Sequence, residues 1–301
     1  MKIVNIIGGL GNQMFQYAFA IALKKSNPDE DIFIDTQHYN YLFVKKYKTS
    51  NLHNGYELNK IFPNDEIKIA GIKELVRVTY YIPNYFLSRI ARKILPKRKS
   101  EYVAPLVESQ TFLPELLKLK GDKYYEGYWQ SAKYFEEFRD DIIKAFTPIC
   151  TPNDYNQRLI QVIKDSPSVG IHIRRGNYLL SPTYSGICDL DYYKKAINII
   201  NRDGIEHNFY IFSNDIKWCK KNILPLTGTN NTIFITKNRG NNSYWDIFLM
   251  TYCHDLIIAN SSFSWWGAFL NKNAQRIIAP KPWMNGRNSN DIYCSFWMQI
   301  S

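Results

Sequence analysis

The stretch VGIHIRRGNY, residues 169 to 178, sets two arginines directly behind a short apolar run. A guanidinium fork matches a pair of phosphate oxygens, stays charged at any physiological pH and needs no metal to do so. Alternate side chains of a strand share a face, so His172 and Arg174 point the same way, with Arg174 at the strand's carboxyl end. In an open parallel sheet, ligands gather beyond that edge. The chemistry implied is the holding of a diphosphate and the stabilisation of charge that develops on it. Arg175 faces the other way and reads equally well as half of a surface ion pair.

Three further stretches carry residues of the right type. In DLIIANSSFSWWGAFL (255–270) a strand ends at Ala259, and Asn260, Ser261 and Ser262 form a polar turn before a helix. Free amides and hydroxyls there suit a phosphate, although taken alone the turn is a plain N-cap. SYWDIFLMTYC sets Asp246 among apolar residues, where a carboxylate near a cleft would accept hydrogen bonds from a base or a ribose. Exposure on the outer side of the helix fits that spacing as well. GGLGNQMFQY (8–17) follows G-x-G-x-x-G only to its second glycine, Met14 taking the third place, and Asp35 stands about where a ribose-binding acid would lie. A dinucleotide enzyme therefore has an incomplete claim. The other use of the turn, which ends at Gly11, is to leave Asn12 and Gln13 at a cleft with their amides toward a ligand bound opposite.

The elements that must position these residues are clearest in the second half. SVGIHI, NFYIF, TIFIT, DLIIA and QRIIA read as short buried strands, separated by helical patterns such as LDYYKKAINIINRDG and FSWWGAFLNKN. Strands alternating with crossover helices give a parallel, doubly wound sheet. The first half opens with the strand IVNII, a helix from about Asn12 to Lys25 and the strand DIFIDT. YYEGYWQ (124–130) reads as a further strand and AKYFEEFRDDIIKAF as an amphipathic helix. Residues 38 to 120, rich in Tyr, Asn and Lys, give only helices and loops. TPICTP (147–152) is the natural linker. The expectation is an α/β protein of two Rossmann-like domains, 1–150 and 151–301, facing one cleft.

Composition narrows the function classes. Apolar residues make up 45% and charged residues 22%, as in a globular protein. No apolar run is long enough to span a membrane. MKIVNIIGG is too short for a signal peptide, so the chain is expected in the cytoplasm. The five cysteines and five histidines show no metal-ligand spacing, and reduced, mostly buried thiols are the expectation. A net charge of +11 suits an anionic ligand or surface. Part of it lies in FLSRIARKILPKRKS (86–100), where Phe86, Leu87, Ile90 and Ile94 fall at helical spacing beside Arg89, Arg92 and Lys93. That pattern fits either a helix on an anionic membrane face or a solvated basic helix packed on its own domain. Nucleic-acid binding would account for the charge but not for the motifs.

Taken together, GGLGNQMFQYAFA, GYWQSAKYF, HIRRGNY and IIANSSFSWWGAFL resemble the motifs of the α-1,2-fucosyltransferases, glycosyltransferase family 11, in order over residues 3 to 283. The resemblance implies a GT-B architecture, with the sugar-nucleotide donor GDP-β-L-fucose on the C-terminal domain and a galactose-terminated glycan acceptor on the N-terminal side. It implies inverting transfer to a 2-hydroxyl with no metal or other cofactor. By similarity Arg174 would hold the pyrophosphate, His172 would lie by the nucleoside and Asp246 would bind guanine. Ser261 and Ser262, with Phe263, would cap the phosphates, while Gly11 and Gln13 would also touch the donor. Asn12 would sit near the reacting centre. One departure matters: the family motif continues G-D-Y, whereas this chain has Gly176, Asn177, Tyr178. An amide cannot take up the acceptor proton, so Asn177 is expected to orient the acceptor while Arg174 carries most of the catalysis. Outside this family, a lectin-like protein would use the many aromatic residues to stack on sugars, and a nicotinamide-dependent oxidoreductase is the weaker alternative.

Overall fold

The computed structural model describes residues 1–39, 54–63, 66–95, 102–103, 111–229 and 231–301. The chain divides into two compact units, Met1–Ile149 and Cys150–Ser301, so the break falls inside TPICTP, where the prolines interrupt the helical pattern.

The second unit is a six-stranded sheet in the order β11-β10-β9-β6-β7-β8. Its strands are β6 (Ser168–Ile173), β7 (Asn208–Ser213), β8 (Thr232–Ile235), β9 (Asp255–Ile257), β10 (Arg276–Pro280) and β11 (Met298–Ile300), all paired in parallel. Helices Leu190–Ile200, Trp245–Met250 and Ser262–Leu270 lie between them. Every residue of β6 is buried, as a strand covered on both faces must be. Ile171, Ile173, Tyr193, Ile197 and Ile211 share one core. From β6 the chain winds out to β8, then returns to β9 on the other side of β6 and winds away again. Loops leaving β6 and β9 therefore diverge, which opens a crevice at the carboxyl edge between them.

The first unit is a sheet of five strands in the order β3-β2-β1-β5-β4: β1 (Lys2–Asn5), β2 (Ile32–Asp35), β3 (Lys68–Ile69), β4 (Tyr102–Val103) and β5 (Lys123–Tyr125). All pairs are again parallel; from β3 the chain crosses to the far edge at β4 and β5 then fits between β4 and β1. Helix Leu10–Ser26 follows β1 and is buried on nearly every side, the expected fate of a helix apolar all round.

Five elements differ from the sequence reading, two of them the short strands β3 and β4 within residues 38–120, where only helices and loops were expected. Only Lys123–Tyr125 of the segment 124–130 and its flank is strand, and four residues on Trp129 takes φ 54°. The helix expected over AKYFEEFRDDIIKAF is broken into two 3-10 turns, Ala132–Tyr134 and Glu136–Phe138, ahead of the helix Arg139–Ala145. Phe135 leaves helical geometry there, fully buried, with its ring 6.2 Å from that of Phe15. The edge strand β11 was not legible in MQI. In the basic stretch, Tyr85–Ile94 is a helix; residues 96–100, like parts of 38–120, lie outside the described residues. Among the described residues no helix is long and apolar enough to cross a membrane.

Candidate active site

The crevice between β6 and β9 gathers most of the candidate residues of the second unit. Arg174 leaves the end of β6, and its Nη2 donates to Asn177 Oδ1 at 3.2 Å while the guanidinium carbon lies 5.2 Å from the Tyr178 ring centre. Among the described residues it forms no ion pair. Its neighbour Arg175 is committed to the fold: Nε donates to Asp215 Oδ2 at 3.2 Å and the guanidinium stacks 4.1 Å from Trp218. The equal readings of Arg175 thus resolve toward structure, and the available cation is Arg174.

His172, two residues back on the same face, is 6% exposed, with Nδ1 lacking a hydrogen-bond partner. Burial, and after it the charge of Arg174, holds the imidazole down to about 3, so the ring is neutral at neutral pH. It stacks at 5.7 Å on Phe263, which ties the end of β6 to the helix Ser262–Leu270 after β9. Ser261 caps that helix, its hydroxyl oxygen accepting from the Phe263 amide at 3.4 Å. Trp265 and Trp266 are fully buried and hold the helix down; Trp265 Nε1 donates to the Ile292 carbonyl at 2.7 Å. A half-buried cation, a neutral imidazole and a helix N-terminus converge on one crevice. Positive charge and amide dipoles of this kind suit an anion.

Asp246 stands in the first turn of the helix Trp245–Met250, which runs from β8 back to β9 and so begins at the same carboxyl edge. Its Oδ1 accepts from Asn238 Nδ2 at 2.9 Å. Asn238 is held in turn by a reciprocal amide pair with the fully buried Asn156, at 2.9 and 3.1 Å. Burial outweighs the Asn238 hydrogen bond and the charge of Arg239, raising the carboxyl to about 7. The exposed-face reading of Asp246 is therefore set aside. Asn238 and Asn156 were missed by the sequence reading, since lone asparagines in a turn and a helix carry no spacing signal.

In the first unit, Gly11 is buried and Asn12 half-buried in the first turn of Leu10–Ser26. Gly8 precedes them at φ +84°, and a Cβ there would meet Asn12 Nδ2 at 2.7 Å. Asn12 Oδ1 accepts from Gln130 Nε2 at 2.8 Å, joining the segments that follow the adjacent strands β1 and β5. The GYWQ motif makes that contact: Trp129 is buried and stacked on Phe19 at 4.3 Å, which swings Gln130 toward Asn12. Gln13 is corrected. It is fully buried, its Nε2 donating to the carbonyls of Gly8 and Gly55 and its Oε1 accepting from the Glu57 amide, so it braces a loop and not a ligand. Asp35 is likewise structural, buried and accepting from the Gln37 amide at 2.8 Å and the Tyr124 hydroxyl at 2.6 Å; the dinucleotide reading loses its ribose acid. A cavity of about 390 Å³ lies beside it, lined among others by Thr36, Gln37, Tyr39, Tyr56 and Tyr81. Among the described residues no three His, Cys, Asp or Glu side chains gather as a metal site would.

The whole chain, residues 1–301, matches the family model described as Glycosyl transferase family 11. This chain belongs to glycosyl transferase family 11. Relatives of this glycosyltransferase include an alpha-1,2-colitosyltransferase of Escherichia coli, 32% identical over 99% of this chain and 98% of that protein. Another is the O-antigen biosynthesis glycosyltransferase WbnK of Escherichia coli, 27% identical over 97% and 98%. The galactoside alpha-(1,2)-fucosyltransferase 2 of Mus musculus is 23% identical over 89% of this chain and 67% of its own length. Among solved structures, NodZ alpha-1,6-fucosyltransferase soaked with GDP-fucose aligns with a TM-score of 0.52 at 13% identity, over 92% and 93% of the two chains. That likeness is one of fold, and it bears out the GT-B class expected from the sequence.

Proposed function

We propose that this family 11 enzyme is an inverting, metal-independent α-1,2-fucosyltransferase, moving L-fucose from GDP-β-L-fucose to the 2-hydroxyl of a terminal galactose. The observation that carries the reading is Arg174, a guanidinium that forms no ion pair among the described residues and lies beside a neutral imidazole and a helix N-terminus. Such a site favours the bound diphosphate and favours it more as charge develops during bond cleavage. In the reaction, the bond from the anomeric carbon to the diphosphate oxygen breaks as the acceptor 2-oxygen bonds to the opposite face, turning a β donor into an α product. GDP leaves with the electron pair, and the hydroxyl proton passes late to a diphosphate oxygen, since Asn177 has no lone pair basic enough to take it.

Within this reading Cys150–Ser301 holds the donor: Arg174 on the diphosphate, His172 by the nucleoside, Asp246 on the guanine edge, and Ser261, Ser262 and Phe263 at the helix terminus. Asn177 holds Arg174 on one side while it orients the acceptor. The tyrosine-lined cavity of Met1–Ile149 is assigned to the galactoside, because aromatic faces suit sugar rings, and Asn12, braced by Gln130, belongs to the same side. The O-antigen biosynthesis relative favours a surface-polysaccharide repeat as acceptor, and a cytoplasmic location is part of the proposal.

Colitose, the 3-deoxy counterpart of L-fucose, is favoured as an alternative donor sugar by the 32% identical colitosyltransferase. Incubation with GDP-fucose and a galactoside, with and without chelator, followed by mass and linkage analysis, tests the proposal. An α-1,2-fucosylated product formed equally in both arms is expected. GDP-fucose left intact while GDP-colitose is consumed would overturn the donor assignment, and loss of activity with chelator would overturn metal independence.

A further inference from the structure

The helix Tyr85–Ile94 is turned opposite to the usual arrangement. The sheet surface beneath it is polar at that end: Glu126 is fully buried there, and Asn5 Nδ2 donates to the Tyr85 hydroxyl at 3.0 Å. Arg89 Nε therefore turns inward to Glu126 Oε1 at 2.5 Å. Arg92 is 2% exposed, its guanidinium 4.5 Å from the Tyr124 ring centre, held there by cation–π attraction. With the charged stripe inside, helical periodicity throws the apolar stripe out. Leu87, Ile90 and Ile94 are 50, 49 and 75% exposed. Helix Ile72–Val78 packs on the same face of the sheet through Leu75 and Val78, beside the same Tyr124, and leaves Val76 48% exposed. Half-exposed Leu and Ile at positions i, i+3 and i+7 form a ridge, where scattered single residues would need no explanation.

Basic residues outnumber acids around this ridge, where Glu74 on the helix Ile72–Val78 and Asp122 beside Arg77 are the acids nearby. Between Leu75 and Ser100 the sequence carries seven Lys or Arg and no Asp or Glu. Lys93 is exposed on the helix itself, and Arg77 is well exposed at the outer end of its ion pair with Asp122. A second copy of this chain meets the ridge poorly, because a two-fold contact sets each basic flank against its own image. A flat surface that is apolar within and anionic at its rim complements it on both counts.

We infer that the helix Tyr85–Ile94 is a docking element for an anionic lipid bilayer, with Leu87, Ile90 and Ile94 entering the headgroup–acyl boundary and Lys93 and Arg77 against lipid phosphates. The inference stands apart from the donor and acceptor assignments, since none of these residues takes part in them.

The test is co-flotation of the full chain with phosphatidylglycerol-containing vesicles and with phosphatidylcholine vesicles, comparing the wild type with Ile90→Asp and with Ile94→Asp. Ile94 is mostly exposed, so its replacement leaves the core intact. Thermal melts and turnover of a soluble galactoside accompany each variant. The expected result is binding to the anionic vesicles only, lowered at least about tenfold by either substitution and weakened at about 0.5 M salt, with melting and soluble turnover unchanged. Absence of wild-type binding, or binding unaffected by both substitutions, overturns the inference. So does a wild-type dimer that Ile90→Asp dissociates, or a loss of fold in both variants, which would show the ridge covered by protein.

Discussion

Asp246 gives the account a sharp pH signature. Its carboxyl is raised to about 7, chiefly by burial, and a guanine edge offers N–H donors that only the ionised form accepts fully. Raising the pH from about 6 to about 8 takes the ionised fraction from roughly one in eleven to ten in eleven, so the KM for GDP-fucose should fall about tenfold. His172, held down to about 3, stays neutral across that interval and adds no slope, and the esterified diphosphate does not titrate there. Initial rates against donor concentration at fixed, saturating acceptor read the effect. Asp246→Asn should bind the donor more weakly and show a flat KM. Asn238→Ala removes the hydrogen bond that lowers the carboxyl, so its midpoint should move above that of the wild type. A wild-type KM that is constant across the range, or a slope that survives in Asp246→Asn, would refute the assignment of Asp246 to the base.

Asn177→Asp sets a carboxylate on Arg174, 3.2 Å from Asn177 Oδ1 now; kcat should change by far less than the roughly hundredfold that a general base supplies, and a gain of that size would show that a base was wanting. Gly127→Ala forces a Cβ to within 2.8 Å of the rigid Trp129 ring, and urea denaturation should show a loss of about 1–3 kcal/mol with weakened turnover as Gln130 shifts from Asn12; unchanged stability would contradict the bracket described. His172 has a folded pKa depressed below its ordinary 6.5, so the unfolded chain binds the proton more tightly. Stability from its neutral burial is full above about 6.5 and falls away toward about 3; denaturation midpoints of His172→Gln should lack that part of the acid slope.

How much was legible depends on what kind of signal a residue leaves. The second unit was readable because buried parallel strands are short Ile- and Phe-rich runs with no other plausible use, and β6 to β10 stand where such runs stand. Arg174 was readable from its place two residues beyond His172 on a strand. Its separation from Arg175 needed the structure, because Asp215 lies 40 residues away in sequence and only the β6–β7 pairing brings it near. Trp129 illustrates the opposite case. YYEGYWQ has the composition of a strand, and the left-handed turn at Trp129 is imposed by its stacking on Phe19, a tertiary contact that overrides local propensity. Gln13 failed for a similar reason: an amide beside a glycine turn looks available until the loop at Gly55–Glu57 is seen to occupy it. The orientation of Tyr85–Ile94 depended on the polar sheet beneath it, which no window of the helix sequence contains.

The most direct measurement is the single-turnover rate of fucosyl transfer by Arg174→Ala at saturating GDP-fucose. If the Arg174 guanidinium stabilises the departing diphosphate, the rate should fall roughly a hundredfold, about 3 kcal/mol, with a smaller effect on donor binding. Transfer at a near-normal rate would contradict the account.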